Sequence, residues 1–340
     1  MKAVIWNTYG PPEKLIIKDI PRPDPKEDEV LIQIHASTVT LGDCEMRSLD
    51  FIFTISLMLR LYFGVFNPGE RVLGQELSGQ VVKVGSNVRR FKVGDRVIAT
   101  PGMKLGTYAQ YTCIKENRSE GVLVKIPDSV GYKEGAALPV GGLEALNFVG
   151  NSHLKKGETI LINGAGGSIG TMAIQLAKNQ GAYVVAVDRQ DKLDFLKAVG
   201  ADEVIDYQKE DFTLGQDSYD VILDVVGKAH FWRSLKSLNK GGRYMIANPS
   251  MSLLLKKTLA SIRKNFIRQD AHKKIYMKMT NQSNDDMIKI IEMLKTGSIK
   301  VFIDKVYRLD TITDAHHYVE GGHKKGNVVI DIEQSGDQNV

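Results

Sequence analysis

The chain has 340 residues and a mass of 37.7 kDa, a length that suggests two domains. Hydrophobic residues at 43% and charged residues at 25% exclude a disordered chain and a membrane bundle, and 32 glycines without a three-residue repeat exclude collagen. The net charge of +5 arises from 45 bases spread among 40 acids, without the segregation of a nucleic-acid binder. Two cysteines, Cys44 and Cys113, exclude a disulfide scaffold and an all-cysteine zinc site, and they fit a reducing compartment, the cytoplasm by default.

In chain order, MKAVIWNTYG lacks the basic and apolar regions of a secretory signal. From Val30 to about Val124 short β runs follow one another: VLIQIHAS, ELSGQVVKVG, GDRVIAT and TYAQYTCI, the pattern of a small barrel or sandwich. The apolar segment 51–66, FIFTISLMLRLYFGVF, is short for a membrane span and carries Arg60, so it is expected as a buried or lid-forming segment. From Tyr132 the regime changes to alternating helices and strands. YKEGAALPVGGLEALNFV reads as one or two helices, ETILING as a strand, SIGTMAIQLAKNQG as a helix and YVVAVD as a strand. DKLDFLKAVG, EVIDY, YDVILDVVG, HFWRSLKSLN and GGRYMIAN continue the alternation, which predicts βαβ units and a parallel sheet. The tail (DDMIKIIEMLKTG, FIDKVYRL, ITDAHHYVEGG, NVVIDI) is mixed, and its strands are expected to return to the first domain.

The strongest chemical signal is INGAGGSIG, Ile162 to Gly170, between an apolar strand and an amphipathic helix. Gly164 permits a tight turn, Gly167 lets backbone approach a pyrophosphate, and Gly170 lets helix pack on strand. Ala165, Gly166, Ser168 and Ile169 complete the turn, and the helix start offers N–H groups and a positive dipole end to phosphate. Asp188 ends the second strand, 18 positions past Gly170, where a carboxylate binds the ribose hydroxyls of NAD. Arg189 and Lys192 beside it are able to pair with the 2′-phosphate of NADPH. The residues argue both ways, with NADPH slightly favoured over NADH.

Together VLIQIHASTVTLGD, VLGQELSGQVVKVGSNVRRFKVGDRV, AALPVGGLEAL, INGAGGSIG, VGADEVIDY and GHKKGNVVI resemble the medium-chain dehydrogenase/reductase superfamily, in its zinc-free quinone-oxidoreductase branch. The resemblance implies a GroES-like β-barrel domain (1–128 and 268–340) interrupted by a doubly wound α/β Rossmann domain (129–267). It implies NAD(P)H-dependent reduction of a quinone or α,β-unsaturated carbonyl. It also implies cofactor contacts from the glycine turn, Lys192, Tyr207, Val226, Gly227, Asn248 and Asn327. Plain alternatives are a strand-end tyrosine for Tyr207 and a turn former before Pro249 for Asn248.

Zinc-dependent relatives place a Cys where this chain has Thr40, a Gly-His-Glu where it has Gly74-Gln75-Glu76, and a later Cys near Val140. No zinc or other metal is therefore expected, and Cys44 and Cys113 read as packed thiols. His316 and His317, adjacent on a predicted helix, cannot both face one metal. Without a Lewis acid, hydride delivery to an activated alkene needs a donor for the developing oxyanion. Two departures from the family bear on it. Glu45 replaces a Tyr common in the active site, and Glu144 replaces a Thr that commonly touches the nicotinamide. Either carboxylate, buried near the ring, would have a raised pKa and act as proton donor; the alternative is a solvated or ion-paired carboxylate, with water as donor.

A competing reading is a cofactor-binding protein with little catalysis that works at a membrane surface or with a partner. Its support is the segment 51–66 together with the stretch 253–274, which has seven Lys/Arg against one Asp. Few aromatics interleave these bases, so no nucleic acid is expected. The expected assembly is a monomer or homodimer in the cytoplasm, with membrane association left open.

Overall fold

A computed structural model describes residues 1–51, 53–215, 218–247, 272–277 and 282–332. The described residues fall into two compact units, one within 1–140, 282–296 and 301–332 and the other within 141–277 and 297–300.

In the first unit, β1 (Lys2–Trp6) pairs antiparallel with β2 (Leu15–Asp19) and with the short β4 (Arg71–Val72). A seven-stranded sheet is built on β3 (Glu29–Val39), with β5 (Leu77–Val84), β6 (Arg96–Ala99), β7 (Tyr111–Lys115) and β8 (Leu123–Lys125). The expected return of the tail is present. β16 (Asn327–Asp331) pairs antiparallel with β3 at Val328↔Val39, and β15 (Ile303–Arg308) extends the sheet beyond it. Every residue of β16 is buried, as an inner strand requires. Val4, Trp6, Ile32, Leu77, Val97, Val328 and Ile330 share one core.

Two helices interrupt the β runs of this half, one of them within the apolar segment 51–66. The first, α1 (Leu41–Ser48), is started by a capping box, Thr40 and Asp43 each bonding the other's backbone N–H. The second, α2 (Phe53–Phe63), covers most of the apolar segment. Of the two expectations for it, buried or lid-forming, burial is corrected: among its described side chains only Phe63 reaches the core, with Leu59 packed against it, while Phe53, Leu57, Met58, Leu61 and Tyr62 are exposed. The helix is apolar around most of its circumference, and one face is all that a single contact can cover. After it, Ala136 at the end of α3 (Tyr132–Ala136) and Ala137 just beyond pack on Ala36 and Val329, and the first unit runs to Val140. α8 (Asn284–Lys295) and α9 (Ile312–Glu320) complete this unit.

The second unit is a six-stranded, all-parallel sheet in the order β11-β10-β9-β12-β13-β14. The strands are β9 (Thr159–Asn163), β10 (Tyr183–Asp188), β11 (Glu203–Asp206), β12 (Tyr219–Asp224), β13 (Leu238–Ile246) and β14 (Lys274–Tyr276). α4 (Pro139–Ser152), α5 (Ser168–Asn179), α6 (Leu193–Val199) and α7 (Phe231–Lys236) alternate with them. Ile160, Leu161 and Ile162 in the middle of β9 are wholly buried, as in a sheet covered on both faces, so truncating Leu161 to Ala would cost about 2–5 kcal/mol. In sequence order this is the 3-2-1-4-5-6 doubly wound topology, whose switch point lies between the carboxyl ends of β9 and β12.

Candidate functional site

The glycine turn occupies that switch point. Gly164 has φ +83°, the left-handed region, and a Cβ there would lie 2.5 Å from Val226 Cγ2. A Cβ on Gly170 would lie 2.4 Å from the Ala165 carbonyl oxygen, so α5 starts hard against the turn. Gly167 differs: a Cβ there would meet nothing nearer than the Gly164 oxygen at 3.9 Å. It is also the N-cap of α5 and supplies no side chain to the first-turn N–H groups. Open space, absent cap and helix dipole leave the first-turn N–H groups of α5 able to receive an anion such as a diphosphate.

A fourth glycine, which the spacing argument passed over, has its own role. The Gly166 N–H donates to Asp188 Oδ2 at 2.7 Å, and a Cβ there would meet Lys192 Cδ at 2.6 Å. The turn is thereby tied to the carboxyl end of β10. Asp188 Oδ1 accepts from the Arg189 backbone N–H at 2.9 Å and lies 3.2 Å from Lys192 Nζ, with both charged side chains buried. The Arg189 guanidinium lies 3.2 Å from Asp191 instead. The strand end therefore holds two acids and two bases in pairs. Tyr207, half exposed, donates its backbone N–H to the Asp188 carbonyl at 3.2 Å, at the same sheet edge.

Across the switch point, the Val225 N–H donates to the Asn163 carbonyl at 3.0 Å, and the Gly227 N–H donates to Asp224 Oδ1 at 2.9 Å. This brings Val226 against the glycine turn, with Gly227 tied to Asp224 behind it. Asp224, wholly buried at the end of β12, was missed by sequence reasoning. Its signal was available, since YDVILD ends an apolar strand in an acid as YVVAVD does. Asn248 lies outside the described residues, as does 253–271 of the basic stretch.

In the first unit, Asn327 is buried at the start of β16, and both its backbone N–H and its amide donate to the Phe302 carbonyl, at 2.9 and 3.1 Å. Glu45 is half-buried on α1, and Glu144, half-buried on α4, belongs to the second unit.

The positions of the zinc ligands in related enzymes are occupied by a buried polar network. The Thr40 hydroxyl and N–H donate to Asp43 Oδ2 at 2.7 and 2.8 Å, and the Gln75 amide donates to Thr40 Oγ1 at 3.4 Å. Glu76 accepts from the Thr38 hydroxyl and from the Val140 N–H. Burial pushes the Glu76 carboxyl up to about 7, with nearby Asp43 adding to the rise; Asp43 is itself raised by burial. The Cys44 thiol, 3.4 Å from His316 Nδ1, is pushed up by burial, and the same burial pushes His316 down to about 3. His316 is buried and His317 faces out to Glu13, so the pair diverges as adjacent helix positions must. Among the described residues no three His, Cys, Asp or Glu side chains form a metal-binding group. With its hydroxyl bound to Asp43, Thr40 does not replace a thiolate, and Val140 offers no ligand atom; this donor set does not fit zinc.

Residues 26–128 match the family described as alcohol dehydrogenase GroES-like domain, and residues 199–330 match that described as zinc-binding dehydrogenase. A 2-methylene-furan-3-one reductase of Solanum lycopersicum is 32% identical over 97% of this chain and 79% of its own length. An NADPH-dependent alkenal/one oxidoreductase of Arabidopsis thaliana, chloroplastic, is 29% identical over the same shares. The structure of a quinone oxidoreductase from Coxiella burnetii superposes with a TM-score of 0.84 at 26% identity, over 98% of this chain and 99% of that one.

Proposed function

Because the chain belongs to the medium-chain dehydrogenase/reductase superfamily, in its quinone-oxidoreductase-like branch, we propose that it is an NAD(P)H-dependent oxidoreductase that reduces a quinone or an α,β-unsaturated carbonyl. The observation that carries this reading is the open face of Gly167 at the uncapped start of α5, set between the strand ends at Asp188 and Asp224. When bound, the reduced nicotinamide supplies the hydride. The chain's own part is to hold the diphosphate on the turn from Gly164 to Gly170, with Ala165, Gly166, Ser168 and Ile169 between, and the adenosine ribose near Asp188, Lys192 and Tyr207. Val226 and Gly227 border the other half, and the family resemblance adds Asn248 and Asn327. Hydride addition leaves an enolate or hydroquinone oxyanion that takes up a proton, and Glu45 and Glu144 are the candidate donors.

NADPH remains the favoured cofactor, on Arg189 and Lys192. Both bases have acidic partners at the strand end, so preference depends on how readily a 2′-phosphate draws Lys192 from Asp188. A steady-state screen of quinones and enones, with NADH and NADPH in parallel, tests the reading. Substrate-dependent oxidation of at least one reduced cofactor is expected; tight cofactor binding without turnover across the panel would sink it.

A second reading is favoured by the exposed apolar side chains of α2, which suit a peripheral contact with a membrane surface. Among the described residues no helix is long and apolar enough to cross a membrane.

A further inference from the structure

Asp224, a wholly buried acid, accepts four hydrogen bonds, two on each carboxylate oxygen. Oδ1 accepts from Asn163 Nδ2 at 2.8 Å and from the Gly227 N–H at 2.9 Å. Oδ2 accepts from the Tyr244 hydroxyl at 3.1 Å and from the Ala229 N–H at 3.3 Å. All four donors are neutral, and two on each oxygen suit a group that only accepts. They come from β9, from β13 and from the loop that follows β12, so one side chain joins three strand ends at the switch point.

What it fixes is the segment 225–229. The Val225 N–H is bound to the Asn163 carbonyl, and Val226 lies so close over Gly164 that a Cβ on that glycine would be 2.5 Å from it. In a sheet of this order a dinucleotide crosses the switch point with its diphosphate on the first turn. The adenosine half belongs on the β10 side, where Asp188 stands, so the nicotinamide half belongs on the β12 side. We propose that Asp224 is a positioning residue for the nicotinamide half of the cofactor: it holds the Val226–Gly227 backbone against the glycine turn at the height that half requires. The proposal rests on the dinucleotide reading above.

The test is Asp224→Asn in the full chain. The amide keeps the shape, but in either orientation its NH2 faces two donors. Affinities are measured for NADPH and NADH, and for 5′-AMP and 2′,5′-ADP, which carry the adenosine half alone. The expected result is about a tenfold weaker hold on both dinucleotides, with mononucleotide affinity within about twofold of the parent. Equal losses for dinucleotide and mononucleotide, or no loss at all, would overturn the assignment. Should Asp224→Asn not fold, Tyr244→Phe removes one donor while its ring still fills the core. About a threefold loss confined to the dinucleotides is then expected, and unchanged affinity overturns the proposal. Failure of the parent protein to bind either dinucleotide would overturn the functional reading first, and is recognised by occurring without any substitution.

Discussion

At the scale of single residues, the glycines of one turn separate by what stands in front of each. A side chain at Gly167 meets open space, so Gly167→Val should fold with an unchanged melting temperature and lose cofactor affinity; unchanged affinity in the folded variant would remove the turn from the site. A side chain at Gly170 meets backbone, so Gly170→Ala should lower the melting temperature as well. In the proposed cofactor site, a 2′-phosphate would have to draw Lys192 from its ion pair with Asp188. Asp188→Ser frees the ammonium and should raise the NADPH-to-NADH ratio of kcat/KM, at some cost in stability from the lost Gly166 and Arg189 N–H bonds. Arg189→Ala should raise the KM for NADPH about tenfold with little effect on NADH, and an unchanged ratio would leave Arg189 without a role in the preference. Glu45→Gln and Glu144→Gln address the proton donor, since only the true donor's loss should abolish the fall of kcat as pH rises, the limb on which a donor loses its proton.

Buried titratable groups give the first unit a pH signature with a definite sign. Glu76 rises from its ordinary 4.5 to about 7, so the fold holds a proton that the unfolded chain releases. Its contribution is complete below 4.5 and is lost as pH climbs through 7. His316 falls from 6.5 to about 3, so its contribution is complete above 6.5 and is lost as pH drops through 3. The two slopes oppose each other between 4.5 and 6.5. Glu76→Gln can turn its oxygen to Val140 and its amide to Thr38. Against the parent it should gain stability from pH 4.5 to 7, on the order of 3 kcal/mol, and then level off. Denaturant titrations at several pH values check this, and a constant difference would refute it.

At the scale of elements, α2 is the informative case. Between Asp50 and Glu70 the chain carries one charge, Arg60, yet the helix buries only one edge. Phe53 at its start is 80% exposed and Phe66 just past its end is 90% exposed. Met58→Glu with Leu61→Glu should leave the melting temperature unchanged, because both side chains already face solvent. If α2 rests on a bilayer, the same pair should cut cosedimentation with anionic phospholipid vesicles about tenfold, since each glutamate forfeits apolar burial and adds repulsion. Equal sedimentation of parent and variant would leave the helix with no membrane role.

At the scale of the whole molecule, the expectation concerns metal. The hydroxyl of Thr40 serves Asp43, and Val140 supplies only a backbone N–H to Glu76, so chelator-washed protein should keep its activity and contain no stoichiometric zinc. Elemental analysis that finds one zinc per active chain would overturn this.

Much of this architecture was written in local pattern. Glycines three apart between an apolar strand and an amphipathic helix, then a second strand ending in Asp188, sufficed for the turn, because each requirement there involves neighbours in the chain. Apolar runs of four to six residues between helices likewise announced the parallel sheet, and the strands of the mixed tail announced its return to the first domain. The rest depended on residues far apart in sequence. α1 went unread because its capping box sits in a stretch of β-like alternation, and the exposure of α2 could not be read because an apolar run looks the same whether or not something covers it. Residue order alone could not show whether Asp188 faces Lys192, Arg189 or a ribose. That was decided by a backbone N–H at Gly166, 22 positions earlier. Nor could it show that Asp224 draws its donors from Asn163 and Tyr244, 61 and 20 residues away. Local propensity and periodicity are properties of a segment, whereas the partners of a buried charge are chosen by whichever strands the topology lays beside it.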